Sequence, residues 1–207
     1  MRTSVNPIPT RRLMALMLGT ALLLAGCASD KPASNTMFDF GPATPAAASA
    51  APIGAVVVAD VTGSAALDGE RMYYRLAYAD ALEARSYANS RWAATPLQLI
   101  TQRIKVRLAQ SGAKVLSATD ASNGVPLLRI EVDDFNHTFD SATASHGDLA
   151  LRASLFRGHT LVDQKTFRRS TSAGANAASG AAALAASTDA VAADILLWLG
   201  ALPAAQR

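Results

Sequence analysis

The tetrapeptide Leu24-Ala25-Gly26-Cys27 constrains this chain more than any other feature, because it separates residues to be discarded from residues that must fold. It closes an uncharged run, LMALMLGTALLLAG from Leu13 to Gly26, that follows Arg11-Arg12. Fourteen residues make a helix of about 21 Å, short of the ~30 Å hydrocarbon core of a bilayer. The length and the preceding arginines fit the apolar region of a secretory signal instead. Small residues at Ala25 and Gly26 admit a peptidase to the backbone. Cys27 stands where bacterial lipoprotein signals carry the thiol that accepts diacylglycerol. The expectation is a signal peptide over 1–26 and a mature chain beginning at a diacylglyceryl, N-acyl Cys27.

Three acyl chains exceed the single-chain limit for marginal binding, so the anchorage is expected to be stable. Ala28 and Ser29 follow the cysteine. An Asp at the first of these positions retains lipoproteins in the inner membrane of enteric bacteria, so its absence points to the outer membrane, periplasmic face. Cys27 is also the single cysteine of the chain. A disulfide framework and any multi-Cys metal site are therefore excluded, and lipidation would consume the only thiol.

Charge changes meaning once the signal is set aside. The whole chain carries 19 Lys and Arg against 16 Asp and Glu, but Arg2, Arg11 and Arg12 account for the whole surplus. From Cys27 onward the two signs balance, which leaves no cationic excess for a nucleic-acid partner. Within the mature chain, residues 71–114 sum to +6 and residues 115–148 to −5. Only the fold decides whether these charges segregate or interleave.

Residues 28–53 are rich in Ala, Pro and Ser and read as a tether. Its flexible reach is roughly 25–30 Å and its taut limit about 85–95 Å. Met37-Phe38-Asp39-Phe40 interrupts it with two aromatics, a pattern for a short strand docked on the domain. The domain itself is expected over 54–202. A β-branched run, 55–61, predicts a buried strand. Residues 71–78 alternate, with Met72, Tyr74, Leu76 and Tyr78 on one face and Tyr73, Arg75 and Ala77 on the other. Residues 83–94 read as a further extended segment.

Thr95, Pro96 and Gln98 form a helix start by capping box and proline at the first position. Leu97, Ile100, Ile104 and Leu108 then make one apolar stripe, and Gly112 ends the helix. Short strands follow at 114–118, 127–135, 148–156 and 161–169. Phe135 and Phe139 break the parity of Leu128, Ile130 and Val132, which predicts a bulge at Asp133-Asp134. Residues 157–159 make a hairpin turn, 170–180 a loop, and 180–199 an alanine-rich helix with Leu184, Val191, Ile195, Trp198 and Leu199 inward. Asp189 and Asp194 argue against that helix spanning a membrane. The order predicts an α+β domain, a mostly antiparallel or mixed β-sheet with two amphipathic helices packed on one face.

Motifs for catalysis are sparse. No Walker lysine follows the glycines at 174 and 180, and no G-x-S-x-G elbow occurs. His137, His146 and His159 are dispersed without metal-ligand spacing, so no metal or cofactor is expected. Glu131, Asp133, Asp134 and Asp140 form the best acidic cluster, read as a solvated strand face with a bulge. Tyr87 and Trp92 read as core aromatics.

Three segments carry a family resemblance: Met72-Tyr73-Tyr74-Arg75-Leu76-Ala77-Tyr78, the run Tyr87 to Pro96, and a helix ending Leu108-Ala109-Gln110-Ser111-Gly112. With the lipidation signal they resemble the ABC-type transport auxiliary lipoproteins, a family that includes the lipoprotein of the paraquat-inducible (Pqi) system. The resemblance runs from about Phe38 to Leu199. It implies a non-enzymatic partner of an ABC transporter whose periplasmic component belongs to the mammalian-cell-entry (MCE) class, moving lipids or other hydrophobic molecules between two membranes. It brings no ligand-binding residues, and Tyr74, Arg75, Leu76, Tyr87, Trp92 and Pro96 are expected to be structural. Contact positions for a partner are expected among Arg85, Arg91, Tyr73, Phe135 and Phe156. Two other readings are a module that itself holds a lipid, and a structural or regulatory envelope lipoprotein.

Overall fold

The computed structural model describes residues 35–44, 53–120, 123–203 and 205. Leu24, Ala25, Gly26 and Cys27 lie outside the described residues. The chain runs β1 (Thr36–Phe38), β2 (Ala55–Val58), β3 (Thr62–Gly63), a single 3-10 turn (Ala65–Leu67), β4 (Arg71–Leu76) and β5 (Arg85–Trp92). It continues through α1 (Pro96–Gln110), β6 (Lys114–Ser117), β7 (Leu127–Phe139), β8 (Ser145–Arg157), β9 (Thr160–Ala173) and α2 (Ala177–Ala201). Nine strands join in one mixed sheet, and the fold is α+β as expected.

β7 organises the sheet. Along one edge it pairs antiparallel with β8, which pairs antiparallel with β9. Along the other edge its start pairs parallel with β2, its middle with β3 and its end with β4. β2 passes outward to β6, and β4 to β5 and then β1. The sheet therefore forks about β7.

The predicted bulge is present: pairing with β8 shifts between Val132 and Asp134. Its consequence corrects one expectation. Asp133 absorbs one residue, so Phe135 turns inward and is only 4% exposed. A buried side chain cannot serve as a partner contact. β7, β8 and β9 also run longer than their apolar alternation suggested. Their ladder hydrogen bonds carry pairing through polar residues as far as Phe139↔Ser145 and Ser145↔Ala173. β4 is shorter: the N–H groups of Ala79 and Asp80 both donate to the Leu76 carbonyl and turn the chain. Tyr78, expected to point inward, is left exposed by that turn.

Both helices start at side-chain caps. Thr95 Oγ1 accepts from Gln98 N–H while Gln98 Oε1 accepts from Thr95 N–H, closing the capping box. Asn176 accepts from Ser179 N–H, so α2 begins three residues before the expected 180. Every member of the two predicted apolar stripes is buried in one core cluster. α2 is long and apolar enough to cross a membrane by length and composition, yet half of that span is buried within the fold. Its two carboxylates are paired: Asp189 with Arg107 at 2.7 Å and Asp194 with Arg169 at 2.5 Å.

Residues 35–44, expected within the tether, pack on the domain. β1 pairs with β5, and Phe40 meets Trp92 edge-on with ring centroids 5.7 Å apart. The buried Arg103 donates to the Phe40 carbonyl and, at 2.8 Å, to the Gly41 carbonyl. Arg107 donates to the Thr44 carbonyl and Gln110 to that of Ala43.

Candidate functional site

The family-like residues hold β4, β5 and the start of α1 in place. Trp92 is 1% exposed and packs on Phe40 and Phe135. Tyr74 and Tyr87 lie 4.6 Å apart, with Phe139 at 5.9 Å from Tyr74. Arg75 donates to the Ala81 carbonyl at 2.6 Å and braces the loop after β4. Pro96 is buried at the first position of α1. Leu76, the last residue of β4, is half-buried beside Phe139, its register partner.

Sequence reasoning missed what Tyr87 holds. Its hydroxyl is 2.7 Å from His137 Nδ1, and His137 Nε2 is 2.9 Å from Ser145 Oγ. His137 is fully buried. Ser145 Oγ also lies 3.1 and 3.2 Å from the carbonyls of Ala173 and Gly174, which only accept. With its one proton directed to those carbonyls, the serine accepts from Nε2–H, and Nδ1 then accepts from the tyrosine hydroxyl. Burial lowers the His137 pKa to about 4, with a further push from His146, against a pull upward from Asp148. Burial, then Tyr74, raises Tyr87 to about 12, so its proton stays in place for donation.

The network superficially matches a serine–histidine pair, but with the serine proton on the carbonyls its order is the reverse of an activated nucleophile. A general base needs its unprotonated nitrogen toward the hydroxyl. Here the imidazole presents N–H to an interior serine. α2 seals the arrangement: a Cβ on Gly180 would sit 2.6 Å from His137 Cγ, and one on Gly147 would sit 2.7 Å from Leu184 N. Glycine at both positions lets helix and sheet approach more closely than any side chain allows.

The predicted acidic residues do not form one site. Glu131 pairs with Arg152 across β7 and β8. Asp134 is bonded by Asn136, and desolvation raises its pKa above the usual carboxylate range, against the Asn136 bond and aided by Asp148. Asp140 joins Asp148 around His146, whose two ring nitrogens reach them at 2.9 and 3.0 Å. Among the described residues no group of three or more His, Cys, Asp or Glu could hold a metal ion. The charges of the two biased segments are answered from outside them: Lys105 reaches Asp60, Arg103 and Arg107 reach Asp189, and Glu131 reaches Arg152.

The surface positions expected for a partner fare differently. Arg85 is tied to Glu83 at 2.6 Å. Tyr73 and Phe156 are half-buried, and the Arg129 guanidinium lies 5.0 Å from the Phe156 ring. Arg91 is exposed. A groove at Lys165–Arg169 beside Trp198 is open, with a volume of about 430 Å³.

Comparisons with known proteins agree with this architecture. The Xanthomonas campestris protein XCC0632, of family DUF330, superposes with a TM-score of 0.64 at 18% identity, covering 80% of this chain and 92% of that one. A second crystal structure, of an uncharacterized protein, gives 0.60 at 16% identity, covering 72% and 94%. At such identities the likeness speaks for fold alone. Comparison with curated proteins found no match. A family model described as an ABC-type transport auxiliary lipoprotein component matches residues 38–196, a span that begins in β1 and ends in α2. The chain thus belongs to the ABC-type transport auxiliary lipoproteins.

Proposed function

We propose that this lipoprotein is an outer-membrane-anchored, periplasm-facing adaptor, non-enzymatic, for an ABC transporter with an MCE-class periplasmic component that moves lipids or other hydrophobic molecules. The observation that carries the reading is the family match over 38–196, which takes in the sheet from the last residue of β1 onward and most of α2. The lipidation signal ending at Cys27 supports the anchor. The polar interior supports a scaffold: Tyr87, His137 and Ser145 spend their hydrogen bonds on one another and on the backbone.

The test combines two measurements on the full chain expressed in a Gram-negative host. Clickable palmitate should label the wild type and not Cys27→Ala. In-cell crosslinking should capture an MCE-domain protein. Label that persists on Cys27→Ala would sink the anchor, and capture of unrelated envelope proteins alone would sink the adaptor role.

A further inference from the structure

Arg71 and Arg91 are direct cross-strand partners of β4 and β5. Like charges placed opposite one another on a sheet repel, and such a pair is expected to need an anion. Neither has one among the described residues. Arg71 makes no ion pair or side-chain hydrogen bond, and the only partner of Arg91 is the Met37 sulfur at 3.5 Å. Four other cations of this segment contrast with them, since Arg85, Arg103, Lys105 and Arg107 reach carboxylates, and Arg75 reaches the Ala81 carbonyl.

The backbone opens a groove beside the pair. Between Arg71↔Arg91 and Tyr73↔Ser86, β4 advances two residues while β5 advances five, so β5 bows away. The resulting groove has a volume of about 420 Å³ and is lined by Asn35, Arg71, Ser86, Ala88, Ser90 and Arg91, with Tyr87 at its base. Two guanidinium groups, two hydroxyls and an amide are a donor set suited to a phosphate oxygen cluster. Beside it Met37 is 59% exposed, an apolar side chain next to the cations.

We propose that this groove docks on the membrane that holds the anchor, its two arginines taking the headgroup phosphates of anionic phospholipids. The inference rests on lipidation at Cys27. Asn35 lines the groove and lies eight residues from Cys27, so the acyl chains enter the bilayer within about 26–29 Å of it. Docking of residues 35–44 removes most of the tether that composition suggested, which keeps the groove at the membrane surface. An anionic leaflet supplies many phosphates at that height, and an exposed Met37 suits the boundary between headgroups and acyl chains.

The test uses the full lipidated chain in vesicles, with a nitroxide at Ala88→Cys and, separately, at Thr166→Cys on β9, across the sheet. Lipidation leaves no other thiol, and intact mass establishes the acyl groups first. With phosphatidylglycerol present, the label at 88 should be protected from a water-soluble nickel chelate, and the label at 166 should not. Protection should be lost in pure phosphatidylcholine vesicles, at high salt, and in Arg71→Glu/Arg91→Glu, at about fivefold in surface affinity per arginine. Protection that survives the double substitution or the neutral vesicle would overturn the proposal, as would reversal by inorganic phosphate at constant ionic strength, which would assign the groove to a free anion. A chain without acyl mass at Cys27 would defeat the anchoring reading and this one together. An acylated chain without protection would defeat this one alone.

Discussion

His137 shows how one side chain can be fully determined by its neighbours. Its ring is buried against Gly180 between Tyr87 and Ser145, and burial makes a second proton costly. The folded state therefore holds it neutral to about pH 4, whereas an unfolded chain protonates it near 6.5. The unfolded form binds more protons in that window, so stability is full above about 6.5 and falls as pH drops toward 4. Asp134 acts in the opposite sense at the acid end, because desolvation makes the fold prefer its proton. We expect the His137 imidazole to titrate by NMR with a midpoint near 4, accompanied by a loss of stability on the order of 3 kcal/mol or less. A midpoint near that of a free imidazole would mean the ring is not enclosed as described. Nothing in the sequence marks this residue, since its partners Tyr87 and Ser145 come from β5 and the start of β8.

At the scale of elements, the segment 35–44 behaves as a strap rather than as linker. Phe40 fills the space between Trp92 and Phe135, and Arg103, Arg107 and Gln110 of α1 hold the carbonyls of Phe40, Gly41, Ala43 and Thr44. Asp189 of α2 answers the same two arginines, so strap, α1 and α2 share one charge cluster. Phe40→Ala should release the strap while leaving the sheet intact. The expected readouts are faster hydrogen exchange at the Ala93 amide, which bonds the Phe38 carbonyl, and a stability loss of about 1–2 kcal/mol for a half-buried ring. Unchanged exchange would show that the backbone bonds alone secure the segment. Helix positions were legible in the sequence because capping and the 3.6-residue stripe are local signals: Thr95, Pro96 and Gln98 act within four residues. The strap was legible only as two aromatics, because its carbonyls are bonded by side chains more than sixty residues away.

The molecule as a whole has one continuous core. Trp92 packs with Phe40 and Phe135, Trp198 with Phe167, and both belong to the same cluster. With single-tryptophan variants, Trp92→Phe and Trp198→Phe, urea unfolding should give coincident transitions, as one cooperative unit requires. Separated midpoints would show that the two sides of the forked sheet unfold independently.

The sequence by itself determined the α+β class, both helix stripes and the bulge near Asp133, and set the signal and the modified cysteine as expectations, because each is written in residues close together along the chain. The tertiary structure alone decided where the bulge sends Phe135, what Tyr87 is for, that residues 35–44 pack on the domain and which described cations lack a carboxylate. Arg91 and Arg103 look alike in sequence. One is exposed opposite another arginine, and the other is buried between a strap and an aspartate, because charge pairing is set by which strands and helices become neighbours, and neighbours are chosen by the packing of the whole core.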